Sequence, residues 1–310
     1  MEKISSLSPA MGIRLIKTPS IFFWIGLAIL SLLVSAGAQQ PQTKPQAQAP
    51  LEVKPVRANV YEVTGGSGAN AGFSVGQRGV IIVDAKMTPE SAREMIAAVS
   101  KVSSLPLQAV VLTHSDGDHV NGLVGFPERL PVIAHENTYQ EMKQAISEGV
   151  LLNYLPSITY HQEMTLRSGN TIIQLLHFGP GHTSGDTVVY IPEAKVAFLG
   201  DLVFVGRDPL IHRQKGGNSF GVVKTLKEVL KLDADLFIHG HGEVLDRKGV
   251  EKAIAALEAK QEQVKALVAQ GKSLDEVKAA LNVQEPPIPP GRTRRPSLVE
   301  IIYLELTEKR

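Results

Sequence analysis

The chain has 310 residues, of which 43% are hydrophobic, so it is long enough for a large domain with a full core. Lys and Arg number 32 against 31 Asp and Glu, which argues against a nucleic-acid binder, whose footprint is a basic excess. There is no cysteine, which excludes disulfides, thiolate metal sites, iron–sulfur clusters, a cysteine nucleophile and a lipid-modified cysteine anchor.

At the N-terminus, Lys3, Arg14 and Lys17 precede a short apolar stretch, Ile21 to Val34, and then Ala36-Gly37-Ala38. This is the order of a secretory signal, expected over residues 1–38, with a periplasmic or secreted mature protein that has no membrane attachment. A retained anchor is the alternative, although the stretch is shorter than the ~20 apolar residues of a spanning helix. Starts at Met1 and Met11 give the same mature chain. Residues 39–50 (QQPQTKPQAQAP) read as a Gln/Pro-rich linker, so the fold is expected from Leu51.

Asn59 to Val63, Gly72 to Val75 and Val80 to Asp84 read as short strands of a meander. Thr88-Pro89-Glu90 is an N-cap, a first-turn proline and an acid, and Ala92, Met95, Ile96 and Val99 continue at helical spacing. Gln108 to Thr113 is an apolar run of strand length, as in a strand covered on both faces. Glu136 to Ser147 reads as helix. Strands are expected again at Thr171 to Phe178, Thr187 to Ile191, Lys195 to Leu199 and Asp235 to Ile238, with a helix at Ser219 to Lys231. Meander then helix, twice, points to two packed sheets with helices outside. Beyond residue 245 a helical extension packed on the domain is expected. It holds a long amphipathic helix, Arg247 to Gln270, a capping box at Ser273–Glu276, a proline-rich connector, Pro286 to Pro296, and a final apolar segment, Leu298 to Leu306.

Gly66-x-Gly68-x-x-Ala71 mimics a dinucleotide fingerprint, but strand pattern continues where that fingerprint needs a helix, so a tight turn near the pocket is expected. The chemistry gathers at strand ends. After the buried strand comes His114-Ser115-Asp116-Gly117-Asp118-His119, four potential metal ligands within six residues. A calcium loop fails, because Val120 and Pro127 would fill its fifth and twelfth positions. His182 lies in Gly181-His182-Thr183, Asp201 in Gly200-Asp201, and His241 in His239-Gly240-His241-Gly242, each preceded by a glycine that permits close backbone approach.

Taken together, these motifs resemble the metallo-β-lactamase superfamily over roughly Val53 to Val244. The resemblance implies an α+β, four-layer αββα sandwich over residues 51–245 and a site for two divalent metal ions, zinc first. It assigns His114, His182 and one further ligand of the first loop to metal one, and Asp118, His119 and His241 to metal two, with Asp201 bridging. His239 stands where the family has proline, so His241 is taken as the ligand. Asp84 is expected to support the site, and His135, His161, His177 and His212, which match no motif, are expected to be structural or surface residues.

The implied activity is that of a hydrolase whose metal-bound hydroxide opens an ester, lactone, thioester or β-lactam-type bond of a small-molecule substrate, with Asp118 orienting the hydroxide and relaying its proton. The cysteine ligand of class B β-lactamases is absent, and Asp201 fits the glyoxalase II and lactonase branches. No lysine follows Asp201 to hold a lactam carboxylate.

Asp116 replaces the second histidine of His-x-His-x-Asp-His. As a ligand it would bring the carboxylates plus hydroxide to −4, cancel two divalent charges, weaken the Lewis acid and favour iron or manganese. If it points away, metal one has fewer ligands. Flavodiiron proteins carry a carboxylate at this point, so a non-haem iron oxidoreductase, flavodiiron-like or persulfide dioxygenase-like, is the alternative. A non-catalytic binding protein is a third reading. The sequence leaves the substrate and the oligomeric state open.

Overall fold

In the computed structural model, which describes residues 49–145, 150–284 and 294–308, the strands form two sheets. The expected signal, nearly all of the linker and most of the proline-rich connector lie outside these residues. The first sheet takes seven strands in chain order: β1 (Glu52–Arg57), β2 (Val60–Thr64), β3 (Ala71–Val75), β4 (Val80–Val83), β5 (Leu107–Val111), β6 (Val132–His135) and β7 (Ile158–Tyr160). It is an antiparallel meander as far as β4 and parallel from β4 to β7. The second sheet runs in space from β13 to β8. Its strands are β8 (Glu163–Ser168), β9 (Thr171–Leu176), β10 (Val188–Ile191), β11 (Val196–Phe198), β12 (Leu236–Ile238) and β13 (Leu245–Asp246). All its pairs are antiparallel except β11 with β12.

The apolar runs explain the layering. Side chains alternate across a strand, so a run of consecutive apolar residues feeds two cores. Ile81, Val83, Ala109 and Val111 point between the sheets and meet Leu175, Val189, Ile191 and Phe198. Their neighbours Val80, Ile82, Val110 and Leu112 point outward, onto Ala92, Met95 and Val99 of helix α1 (Pro89–Val102). On the second sheet Tyr190, Ala197 and Leu199 turn outward to α4 (Ser219–Val229) and α5 (Arg247–Ala269). The result is the expected αββα order.

The remaining helices are α2 (Gly117–Val120), α3 (Glu136–Ala145), α6 (Leu274–Ala280) and α7 (Leu298–Thr307). The Thr88 N-cap and the Ser273–Glu276 capping box are present. The end of the helix expected over Glu136 to Ser147 lies outside the described residues. Among those described, no helix is long and apolar enough to cross a membrane.

The strand directions set the site. β9 and β11 each pair antiparallel with β10, and β11 runs parallel to β12, so the loops after β9, β11 and β12 leave the second sheet at one end. The loop after β5 meets them there. The Gly-rich turn before β3 docks on the same end. It leads into a strand, as expected, and Gly68 (φ +104°) sits so close that a Cβ would lie 2.6 Å from the Asp118 carbonyl oxygen.

Candidate metal centre

Seven side chains converge where these loops meet. His114, Asp116, His182 and Asp201 form one group, and Asp118, His119 and His241 another, with the candidate ligand atoms of each within 4.8 Å of one another. Asp201 lies between the groups: Oδ1 is 3.2 Å from His119 Nε2 and Oδ2 is 3.1 Å from His241 Nε2. All seven residues singled out in the sequence are therefore in the cluster.

Local structure aims the rings. His182 Nδ1 donates to the Leu210 carbonyl at 2.7 Å, which leaves Nε2 facing the Asp116 carboxylate. His119 Nδ1 donates to Asp84 Oδ2 at 2.8 Å, and Asp84 also accepts from the Thr113 amide and hydroxyl. Because the Thr113 hydroxyl proton goes to Asp84, its oxygen accepts from His114 Nδ1 at 3.0 Å. Each ring thus spends Nδ1 on a fixed partner and points Nε2 inward, the arrangement by which outer groups orient metal-binding histidines. Asp84 supports the site, as expected.

The donor set fits a metal. His114 Nε2, His119 Nε2 and Asp201 Oδ1 are buried and have no hydrogen-bond partner; the last two are close but not aligned for a bond. Buried polar atoms left unpaired are costly, and three facing one another are satisfied together by a cation. For His114 and Asp201 the electrostatics agree, while His119 would have to give up a proton to a metal. Burial opposes the charged form of Asp201, but His119 and His241 overcome it and hold the carboxyl well below its usual range. Burial, reinforced by His119 and His182, keeps His114 neutral. Burial also works against charge on His119, yet Asp84 and Asp201 raise it well above the ordinary histidine value.

Asp116 is turned inward: its Oδ2 is 3.2 Å from His182 Nε2 and 3.9 Å from His114 Nε2. One expectation is overturned here. His212, set aside as structural or surface, approaches Asp116 Oδ2 to 2.8 Å. Its Nδ1 accepts from the Gln214 amide at 3.0 Å, so Nε2 carries the proton and donates to Asp116. His135 and His177 stack on each other at 3.8 Å, and His135 Nε2 donates to the His161 carbonyl, all outside both groups.

Three further residues were missed in the sequence. Lys215 Nζ lies 2.6 Å from Asp116 Oδ1 and also donates to Ser115 Oγ. Asn70 donates through Nδ2 to the His239 and Gly242 carbonyls and pins the loop that carries His241. Lys86 is fully buried and donates to the Ala69 carbonyl; burial pulls its ammonium down to about 8 although Asp118, Asp84 and Glu62 surround it. No spacing rule links these residues to the motifs, since each meets the site only through the fold.

The cluster floors a cavity of about 520 Å³ whose walls include Met87, Phe204, Arg207, Leu210 and Arg295. Phe204 stacks on His241 with ring centroids 5.6 Å apart, and the Arg207 guanidinium lies 4.4 Å from the Phe204 centroid.

Comparison with known proteins agrees with this geometry. The family described as the metallo-beta-lactamase superfamily matches residues 64–241. The 2,4-dinitroanisole O-demethylase subunit alpha of Nocardioides sp. is 28% identical over 65% of this chain and 60% of its own length. The type 2 metallo-beta-lactamase of Bacillus cereus is 25% identical over 55% and 65%, so the chain spans less than two thirds of both relatives. The probable metallo-hydrolase YqgX of Bacillus subtilis is 27% identical over 63% of this chain and 90% of its own length. Among solved structures, the DIM-1 metallo-beta-lactamase superposes with a TM-score of 0.60 at 20% identity, covering 69% of this chain and 99% of that one. A fold, a ligand cluster and a family match that spans more than half of the residues lead to one assignment: the chain belongs to the metallo-β-lactamase superfamily.

Proposed function

We propose that the protein is an exported metal-dependent hydrolase that binds two divalent ions, zinc first, and opens an ester, lactone, thioester or β-lactam-type bond. The observation that carries this reading is the set of three buried, unpartnered ligand atoms beneath an open cavity. His114, Asp116 and His182 would hold one ion, Asp118, His119 and His241 the other, and Asp201 both. Ions held there supply a Lewis acid and a water that ionises near neutral pH. Asp118 lies at the cavity floor and stays ionised, because the His241 hydrogen bond outweighs its burial. It orients the attacking water and takes its proton on a carboxylate oxygen.

The walls favour a particular substrate shape. Met87, Phe204 and Leu210 offer apolar surface, and Arg207 and Arg295 offer two cations, which suits an apolar body with an anionic end. The relatives range from an O-demethylase subunit to β-lactamases, so their names do not select a bond. The oxidative alternative drew on the extra charge of Asp116, and Lys215 at 2.6 Å offsets that charge.

A panel of chromogenic esters, lactones, thioesters and β-lactams, run on chelator-stripped and zinc-reloaded protein, tests the reading. At least one class should turn over only after reloading, and Asp118→Ala should lower that rate by about 10²–10⁴-fold. Turnover that survives stripping would reject it. Export is tested separately by N-terminal sequencing of protein from cells, with a start near Gln39 expected and an intact Met1 or Met11 contrary.

A further inference from the structure

Asp116 sits where a histidine is expected, and its surroundings differ on its two oxygens. Oδ2 faces the inward-pointing Nε2 atoms of His182 and His114 and takes a hydrogen bond from His212. Oδ1 is 2.6 Å from Lys215 Nζ. Lys215 is itself held: Nζ also bonds Ser115 Oγ, its amide donates to the His212 carbonyl and its own carbonyl accepts from the Ser184 amide. The loop that carries both His212 and Lys215 is stitched to His182 as well, since the His212 amide donates to the His182 carbonyl.

We propose that Lys215 is a positioning residue that neutralises Asp116, so that the carboxylate–ammonium pair stands electrically where an imidazole would. Three carboxylates, Asp116, Asp118 and Asp201, carry −3; with Lys215 the sum is −2, the value that two carboxylates and a histidine would give. The loss of Lewis acidity expected from a bare aspartate at position 116 is thereby offset, while the oxygen donor is kept. A cation next to the first ion also repels it, and at a few ångströms in a partly buried setting that repulsion is large. Lys215 therefore trades metal affinity for Lewis acidity.

The inference rests on the two-group metal site and is tested by zinc affinity, measured by competition with a chromophoric chelator and with elemental analysis for stoichiometry. Lys215→Gln keeps a donor for Asp116 Oδ1 and removes only the charge; it should bind the first-group zinc at least tenfold more tightly, and Lys215→Met should do the same. Lys215→Arg should match the wild type. In an Asp116→His background Lys215→Gln should change affinity less, because the ammonium has lost its charged partner and is held only by the neutral Ser115 hydroxyl. Unchanged or weaker zinc binding in both charge-removing variants would overturn the proposal, as would an equal change in both backgrounds, which would mark Lys215 as a support of the fold. If the wild type holds no zinc, the metal-site reading itself falls, an outcome distinct from two bound ions with no response to Lys215.

Discussion

Asp84 illustrates how one outer side chain can control a buried ligand: its carboxylate accepts from His119 Nδ1 at 2.8 Å and from the Thr113 amide and hydroxyl. It adopts φ +62°, a left-handed conformation that asparagine shares at little cost, so Asp84→Asn removes the charge and an acceptor without straining the chain. Metal affinity of the second group should fall by about 10–100-fold with circular dichroism unchanged, as competition with a chelator would show. The rings also carry a pH signature. In the metal-free protein the Asp118 hydrogen bond, then that of Asp201, raises His241 to about 9. Its folded value lies above the unfolded one, so this stabilisation is complete below about pH 6.5 and disappears as pH rises through about 9. A metal must displace that proton. Zinc affinity should therefore rise between pH 7 and 9 and then flatten, and calorimetry at pH 7 in buffers of different ionisation enthalpy should show at least one proton released per chain. Affinity that fell over that range would contradict the assignment. The seven clustered residues were legible because each lies in a short motif at a strand end. Lys215 was not: it stands 99 residues from Asp116 and pairs with it only once the second half of the chain folds back.

Glycines decide how closely the elements that bear ligands approach. Gly240 precedes His241, and a Cβ there would lie 2.1 Å from Asp201 Oδ1 and 2.9 Å from His119 Cε1, both buried. Gly240→Ala should destabilise the fold by about 1–3 kcal/mol and lower metal content, read by thermal melting and elemental analysis. A wild-type metal content in that variant would mean the loop is looser than its contacts suggest. At this scale, burial determined what the sequence revealed. β4, β5 and β10 are covered on both faces and appear as continuous apolar runs, whereas α1 shows as apolar residues at helical spacing behind its Thr88 cap. β1 carries Pro55 and charged residues at the edge of its sheet, and β8 alternates exposed Glu163, Thr165 and Arg167 with half-buried Met164 and Leu166. Edge strands owe their pairing to a neighbour rather than to a core pattern, and neither was anticipated. β6, β7 and β13, of four, three and two residues, were not anticipated either.

The C-terminal helices belong to the same body as the site. Leu298, Val299, Ile301 and Ile302 of α7 join the core that α4 and α5 form on the second sheet, and the Ser219 amide and hydroxyl at the start of α4 donate to Glu305 of α7. The segment just before α7 carries Arg295 into the cavity wall. Arg295→Ala and Arg207→Ala should each raise KM for anionic substrates by about tenfold, the worth of one charge-assisted hydrogen bond, with kcat little changed and neutral analogues unaffected. Equal effects on neutral and anionic analogues would remove the case for an anionic end. The claim on which all of this depends is that the two side-chain groups hold metal. Elemental analysis of the purified protein, stripped with chelator and reloaded with zinc, measures it directly. Two ions per chain are expected, with reduced stoichiometry in His182→Ala and the fold retained. A well-folded wild type that takes up no zinc, or a His182→Ala variant that still binds two ions as tightly, would contradict that claim.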